Sequence, residues 1–178
     1  MVDLDRRVER WVVHHRVDWL DSFFVALSHL GSAGIVWLIL AGLAGILWRR
    51  PAIFGYVLAA DVVADLVSRA LREAVGRDRP PVRFPEPKAL VHVPTDPSFP
   101  SGHASTSFAC AAVLAWLTPL PAVPLFALAV LIAFSRVYNG VHYPLDVLGG
   151  AALGLAVATA LRLLAGARRR SRPEPRAG

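Results

Sequence analysis

The chain has 178 residues, 55% of them hydrophobic, with a net charge of +6 and one cysteine. The length suits one compact domain, Cys110 alone excludes an internal disulfide or a cysteine-based zinc site, and a mean hydropathy of +0.49 is high for a soluble domain. The apolar residues form long blocks with arginines between them, so the positive charge points to anionic lipid headgroups and a phosphorylated substrate rather than to nucleic acid.

The N-terminus is too charged for the apolar region of a signal peptide. Within residues 3–19, Leu4, Val8, Trp11 and Val12 recur at helical spacing and Trp19 follows. This predicts an amphipathic helix on the membrane surface with tryptophan at headgroup level; a loosely ordered N-terminus is the alternative. Five apolar spans follow, at residues 23–48, 52–71, 104–118, 122–138 and 145–165. About twenty apolar residues cross a bilayer, so the first is the clearest and the third is short. Trp48-Arg49-Arg50-Pro51 reads as a tight basic turn. Asp61 and Asp65 share one face of the second span and are expected to look into the bundle, pairing with an arginine or relaying protons. Gly149, Gly150 and Gly154 mark close packing of the last span, and Cys110 reads as a small buried side chain. Trp37, Trp48 and Trp116 read as span-end or core aromatics, and His14, His15 and His29 as packing residues.

The fold class is therefore all-α: a polytopic membrane helix bundle with about five transmembrane helices and an N-terminal interfacial helix. Residues 1–21 make the interfacial helix, 22–166 the membrane core, and 167–178 a basic, proline-rich tail expected to be disordered. The long segment 72–102 carries Pro80, Pro81, Pro85, Pro87, Pro94, Pro97 and Pro100, so it is stiff, and a loop of that length is expected to be functional. Alternating crossings put this loop and the segment before the fifth span on one side. The Arg49-Arg50 turn and the tail fall on the other, which the positive-inside rule makes cytoplasmic. The site is thus expected to face outward, although Arg6, Arg7 and Arg10 on that same side weigh against it.

Two motifs abut these spans. In Pro100-Ser101-Gly102-His103, serine suits a helix N-cap, glycine admits a ligand close to the backbone, and the helix N-terminus favours an anion. An ordinary capped helix start explains the serine and glycine but not His103. The second motif runs from Ser135-Arg136 to His142 and on to Asp146. Pro144 fits the first helical position, which puts Asp146 where a carboxylate can reach back over the helix start. Asp146 can then hold one imidazole nitrogen of His142 and leave the other as a nucleophile; a plain N-terminal acid near a helix dipole is the alternative. Arg72, Arg79 and Arg136 suit bidentate phosphate binding and can stabilise phosphoryl transfer without a metal. Arg69, Arg77, Arg83 and Lys88 are expected to be headgroup contacts, and His92 is a loop residue that can touch substrate.

The chain resembles the type 2 phosphatidic-acid phosphatase superfamily, integral membrane phosphatases that share a core with vanadium-dependent haloperoxidases. The family pattern is Lys, six residues, Arg-Pro; then Pro-Ser-Gly-His; then Ser-Arg, five residues, His, three residues, Asp. The second and third parts are intact, and the first departs from the pattern at Arg72, where the family usually has lysine. The resemblance implies that His142 attacks phosphorus, Asp146 orients it, and His103 protonates the leaving group and then activates water. It also implies that Arg72, Arg79, Ser101, Gly102 and Arg136 hold phosphate oxygens, with no metal or other cofactor. Small bacterial members of this layout are similar to undecaprenyl-diphosphate phosphatases, so a polyprenyl diphosphate in a bacterial cell membrane is the expected substrate. Phosphatidate, phosphatidylglycerophosphate and polyprenyl-phosphosugar phosphates are the alternatives. A non-catalytic binder of anionic lipid is a reading of another class, disfavoured because binding needs no nucleophile. A haloperoxidase is disfavoured by the apolar spans.

Overall fold

The computed structural model describes residues 2–170, and its regular elements there are all helical. They are α1 (Val2–His14), α2 (Asp18–Leu30), a 3₁₀ turn (Ser32–Gly34), α3 (Ile35–Leu47), α4 (Ala52–Val75), α5 (Pro80–Arg83), α6 (Gly102–Leu117), α7 (Ala122–Tyr138) and α8 (Pro144–Arg170).

α6 lies at the centre, packed by α4, α7 and α8. Ala104, Ala109, Cys110, Ala111, Val113 and Leu114 of α6 are fully buried. Small residues let α8 close on it: a Cβ at Gly154 would lie 2.8 Å from the Ala109 nitrogen, so the glycines expected at a helix seam are there. Outside this core the usual pattern inverts. Ile39, Leu43, Ile46 and Leu47 of α3 and Leu163 and Leu164 of α8 are exposed, aliphatic surface that water does not favour. Pro144–Ala167 of α8 is long and apolar enough to cross a membrane, and α2 with α3 passes the same test as a pair. α6 and α7 are shorter apolar helices.

The stretch 23–48, expected as one span, is broken. α2 and α3 meet at 61°. Gly34 has φ +65°, open to glycine at little steric cost, and the Asp61 carboxyl packs where a Gly34 side chain would be, its Cγ 2.6 Å from that Cβ position. The expected helix 3–19 also ends early, and Trp19 belongs to α2. Arg16 holds the intervening turn, donating to the carbonyls of Tyr138 and Lys88, each at 2.8 Å. α1 is amphipathic with its polar face turned inward: Asp5, Glu9 and Val13 are buried, while Leu4, Val8 and Trp11 are exposed. Burial pushes the Glu9 carboxyl up to about 7, against the pull of Arg10 and Arg16.

The segment expected as the loop 72–102 begins later, because α4 runs on to Val75 and keeps Arg72 in its last turn. The rest is tied down: Ser98 N–H donates to the Arg77 carbonyl at 2.7 Å and Leu90 N–H to the Asn139 carbonyl at 3.1 Å. α8 continues to Arg170, taking in the first residues of the expected tail; residues 171–178 lie outside the described residues.

Candidate active site

The end of α4, the loop, the start of α6 and the end of α7 enclose a cavity of about 700 Å³. Arg72, Arg79, Gly102, His103, Arg136 and His142 all line it. Ser101 and Asp146 sit behind, both fully buried. Residues up to 74 positions apart in sequence, Arg72 and Asp146, are thus gathered by helix ends.

His142 follows α7 in the turn before α8 and is 2% exposed. Its Nε2 lies 3.0 Å from Arg79 Nη1. A guanidinium only donates, so Nε2 is the acceptor and the proton sits on Nδ1. Nδ1 faces Asp146 Oδ2 at 3.5 Å and Ser98 Oγ at 3.3 Å. Asp146 is at the third position of α8 and accepts the Tyr143 N–H at 2.8 Å, the reach-back over the helix start expected from Pro144. Its Oδ2 also accepts the Ser98 hydroxyl, and its Oδ1 accepts from Arg77 at 2.6 Å. Burial pushes the His142 imidazole down to about 4; Arg79 and Arg136 add to this, and the Asp146 bond opposes it. The ring is therefore neutral at physiological pH, with Nε2 unprotonated and its lone pair turned to Arg79 of the cavity wall.

His103 is held one turn from the α2–α3 break. Its Nε2 lies 3.2 Å from the Ser28 carbonyl and 3.4 Å from Ser32 Oγ. Ser28 also accepts from Arg136, whose guanidinium is buried. Ser101 precedes α6 but makes no side-chain cap, contrary to the expected N-cap bond. Its backbone N–H donates instead to the Asp146 carbonyl at 2.9 Å, and its Oγ has no partner. The serine is thus committed to joining α6 to α8, with a hydroxyl left over. At Gly102 a Cβ would come within 2.9 Å of Arg72 Nη1, so glycine admits that guanidinium.

Four residues that the sequence did not assign to the site complete it. Asp96 bridges Arg72 Nε at 2.7 Å and Arg79 Nη2 at 2.9 Å while its side chain is 42% exposed. Burial pushes its carboxyl up, but Arg79 and Arg72 outweigh this and hold it below the usual carboxylate range. Ser98 is the buried link between His142 and Asp146. Arg77, expected as a headgroup contact, instead ties Asp146 to Asp5 of α1, its Nη2 2.5 Å from Asp5 Oδ2, and lies over the Tyr143 ring at 4.2 Å. Asp5 also accepts the Leu145 N–H at 2.8 Å. Of the remaining expectations, Arg83 pairs with Asp78, His92 lines the cavity, and Trp37 is a core residue donating to Ser107 Oγ at 3.1 Å. Asp65 pairs with Arg69 at 2.8 Å, whereas Asp61 Oδ1 has no partner.

Residues 50–170 match the PAP2 superfamily. The chain is 39% identical over 149 residues to a decaprenylphosphoryl-5-phosphoribose phosphatase of Mycobacterium tuberculosis, covering 82% of this chain and 81% of that one. It is 34% identical over 147 residues to an undecaprenyl-diphosphatase of Sulfolobus acidocaldarius, covering 79% and 68%. A crystal structure of a transmembrane PAP2-type phosphatidylglycerolphosphate phosphatase from Bacillus subtilis superposes with a TM-score of 0.76 at 27% identity, over 96% of this chain and 88% of that one. The chain belongs to the PAP2 superfamily, as a membrane-associated hydrolase of phosphate esters.

Proposed function

We propose that the protein is a multi-pass membrane phosphatase that removes a terminal phosphate from a polyprenyl lipid through a phosphohistidine on His142. The observation that carries this is the His142 environment: Nδ1–H turned to Asp146 and Ser98, Nε2 turned to Arg79 at the cavity. In the proposed reaction Nε2 attacks phosphorus, the bond to the leaving oxygen breaks, and His103 gives that oxygen a proton. His103 then takes a proton from water, the hydroxide displaces Nε2, and inorganic phosphate leaves. Arg72, Arg79 and Arg136, with the free Ser101 hydroxyl and the backbone at Gly102, hold the three phosphate oxygens and balance the developing charge. The guanidinium set supplies the positive charge this step needs, so the reaction is proposed to run without a metal.

The relatives named for decaprenylphosphoryl-5-phosphoribose and undecaprenyl diphosphate support a polyprenyl carrier. The bent α2–α3 pair, α4, α6, α7 and α8 make the five proposed crossings. α1 is proposed to lie at the interface, supported by its outward Leu4, Val8 and Trp11. The Arg49-Arg50 turn is assigned to the cytoplasmic side and the cavity to the outer side, in a bacterial cell membrane.

Phosphate release by detergent-purified protein with EDTA present tests this, comparing a prenyl diphosphate, a prenyl-phosphosugar phosphate, phosphatidate and phosphatidylglycerophosphate. Release from a prenyl substrate, unchanged by EDTA and lost with His142→Ala, is expected. Release that EDTA abolishes would sink the metal-free mechanism. A second prediction follows from Asp96, whose carboxylate occupies the two arginines proposed to take phosphate. Asp96→Asn keeps the shape and removes the competing charge. It is expected to lower KM several-fold and to tighten inhibition by inorganic phosphate; weaker phosphate inhibition would contradict this arrangement.

A further inference from the structure

We propose that Glu9 is a positioning residue that acts on the nucleophile through α1. While its carboxyl holds a proton, α1 stays seated against the site; when the carboxyl ionises, the helix loosens and turnover falls. This rests on the His142 chemistry above and adds a control to it.

α1 turns Asp5, Glu9 and Val13 towards the bundle, four residues apart and so on one face, and it packs on α7 and α8. The first of the two acids is paired. Asp5 accepts from Arg77 at 2.5 Å and from the Leu145 N–H at 2.8 Å, and Arg77 in turn holds Asp146 beside His142. Whatever seats α1 therefore bears on the residue that orients the nucleophile. The second acid is not paired. Glu9 is 1% exposed, and its Oε2 has no hydrogen-bond partner. Such a site tolerates a neutral carboxyl far better than a carboxylate.

The charges around Glu9 are engaged elsewhere. Asp5 and Arg10 face it from its own helix and Arg16 from the turn to α2; Tyr143 faces it from the turn before α8. Arg10 donates to the Glu86 carbonyl at 2.5 Å and lies over the Phe84 ring. Arg16 gives Nε and Nη1 to the Tyr138 and Lys88 carbonyls. Its Nη2 is turned to Gly140, 2.6 Å from where a Cβ would stand there, and bonds nothing. The charge of Arg16 is drawn first to Asp21, which accepts the Tyr138 hydroxyl at the end of α7. Tyr143 offers a buried hydroxyl that has no partner, a neutral donor beside an acid with no cation bonded to it.

The sign of the effect follows. Burial outweighs the pull of Arg10 and Arg16, Asp5 adds to it, and the carboxyl rises from its usual 4.5 to about 7. Seated α1 thus keeps a proton that the released helix gives up. Docking is strongest below pH 4.5, weakens as pH rises, and has lost its full increment above pH 7. That increment is on the order of 10²-fold in the docking equilibrium. Released α1 takes Asp5 from Arg77 but leaves Arg77 on Asp146, so kcat should fall several-fold with KM unchanged. His142 titrates at about 4, outside this window.

The test compares wild type and Glu9→Gln, which copies the protonated carboxyl, at about pH 6 and about pH 8.5 on a prenyl substrate. Wild-type kcat per folded molecule is expected to drop several-fold more than that of the variant, and the two should agree at the lower pH. Amide hydrogen exchange in α1, scaled for the chemical rate at each pH, supplies a second reading that needs no variant and no turnover. Exchange should quicken at the higher pH in wild type and stay slow in Glu9→Gln. Superposable kcat profiles for the two proteins, or wild-type α1 equally protected at both pH values, would overturn the proposal and leave the His142 chemistry intact. Absence of His142-dependent release at either pH would overturn that chemistry, and with it any role of Glu9 in turnover, while exchange still decided whether its proton seats the helix.

Discussion

Alanine at position 142 is expected to lower turnover by about 10⁴-fold or more, the scale of losing a covalent nucleophile, with the protein still folded. The fold should survive because the neighbours keep their bonds. Arg79 retains Asp96 at 2.9 Å and the Val141 carbonyl at 3.0 Å, and Asp146 retains Arg77, Ser98 and the Tyr143 N–H. A change of only a few degrees in Tm is the matching expectation. The pH profile adds a second check. Burial and the two arginines hold the His142 imidazole down at about 4, so its base form is complete well below pH 6. Protonation silences the nucleophile as pH falls, and the acid limb of kcat/KM that belongs to His142 should lie near pH 4 instead of near 6.5. Label carried on the terminal phosphate of the substrate should remain on wild-type protein quenched in base, where a phosphoramidate survives, and be missing from His142→Ala. Equal labelling of the two proteins would place the covalent step elsewhere, or remove it.

How far the sequence carried this reading depended on whether the interaction was local. The reach of Asp146 over the start of α8 was legible because Pro144 sets the first helical position and three residues separate Tyr143 from Asp146. Close packing of α8 was legible from Gly150 and Gly154, but not that its partner is α6, which read only as a short apolar span. The break in 23–48 was not. Its apolar run continues through Gly31 and Gly34, and what packs against the bend is the Asp61 carboxyl and the His103 ring, both distant in sequence. The inward face of α1 was hidden for a related reason. Periodicity showed two faces but not that the polar one docks, which depends on Arg77, 72 positions from Asp5. Asp96 and Ser98 lie in a proline-rich stretch with no period to read, and their partners at Arg72, Arg79, His142 and Asp146 come from three other segments. Arg77 had a weak signal at most, as one arginine among several in a basic loop.

Arg77→Ala is expected to lower kcat roughly 10- to 100-fold with little change in KM, as when a group that orients a reacting residue from behind is removed. The guanidinium touches no residue proposed to hold phosphate. It spans Asp146 Oδ1 at 2.6 Å and Asp5 Oδ2 at 2.5 Å, two carboxylates 0% and 1% exposed at the side chain. Burial alone would lower its pKa, but those two partners outweigh burial and hold it up. Removing it leaves two buried negative charges facing each other, a loss on the order of 3–5 kcal/mol for a broken buried pair. Asp146 then turns or takes a proton, and the Nδ1–H of His142 loses its anchor. Arg77→Lys keeps the charge but reaches only one carboxylate well, so an intermediate kcat is expected. Asp5→Asn tests the far end of the chain of contacts: the Leu145 N–H keeps an acceptor, Arg77 keeps Asp146, and kcat should fall less than with Arg77→Ala. A merely structural role for α1 would lower the amount of folded protein and leave kcat per folded molecule alone. Active-site titration by base-quenched labelling, run beside the rate assay, separates the two. A lower turnover per labelled site in Asp5→Asn would tie α1 to the geometry of the nucleophile.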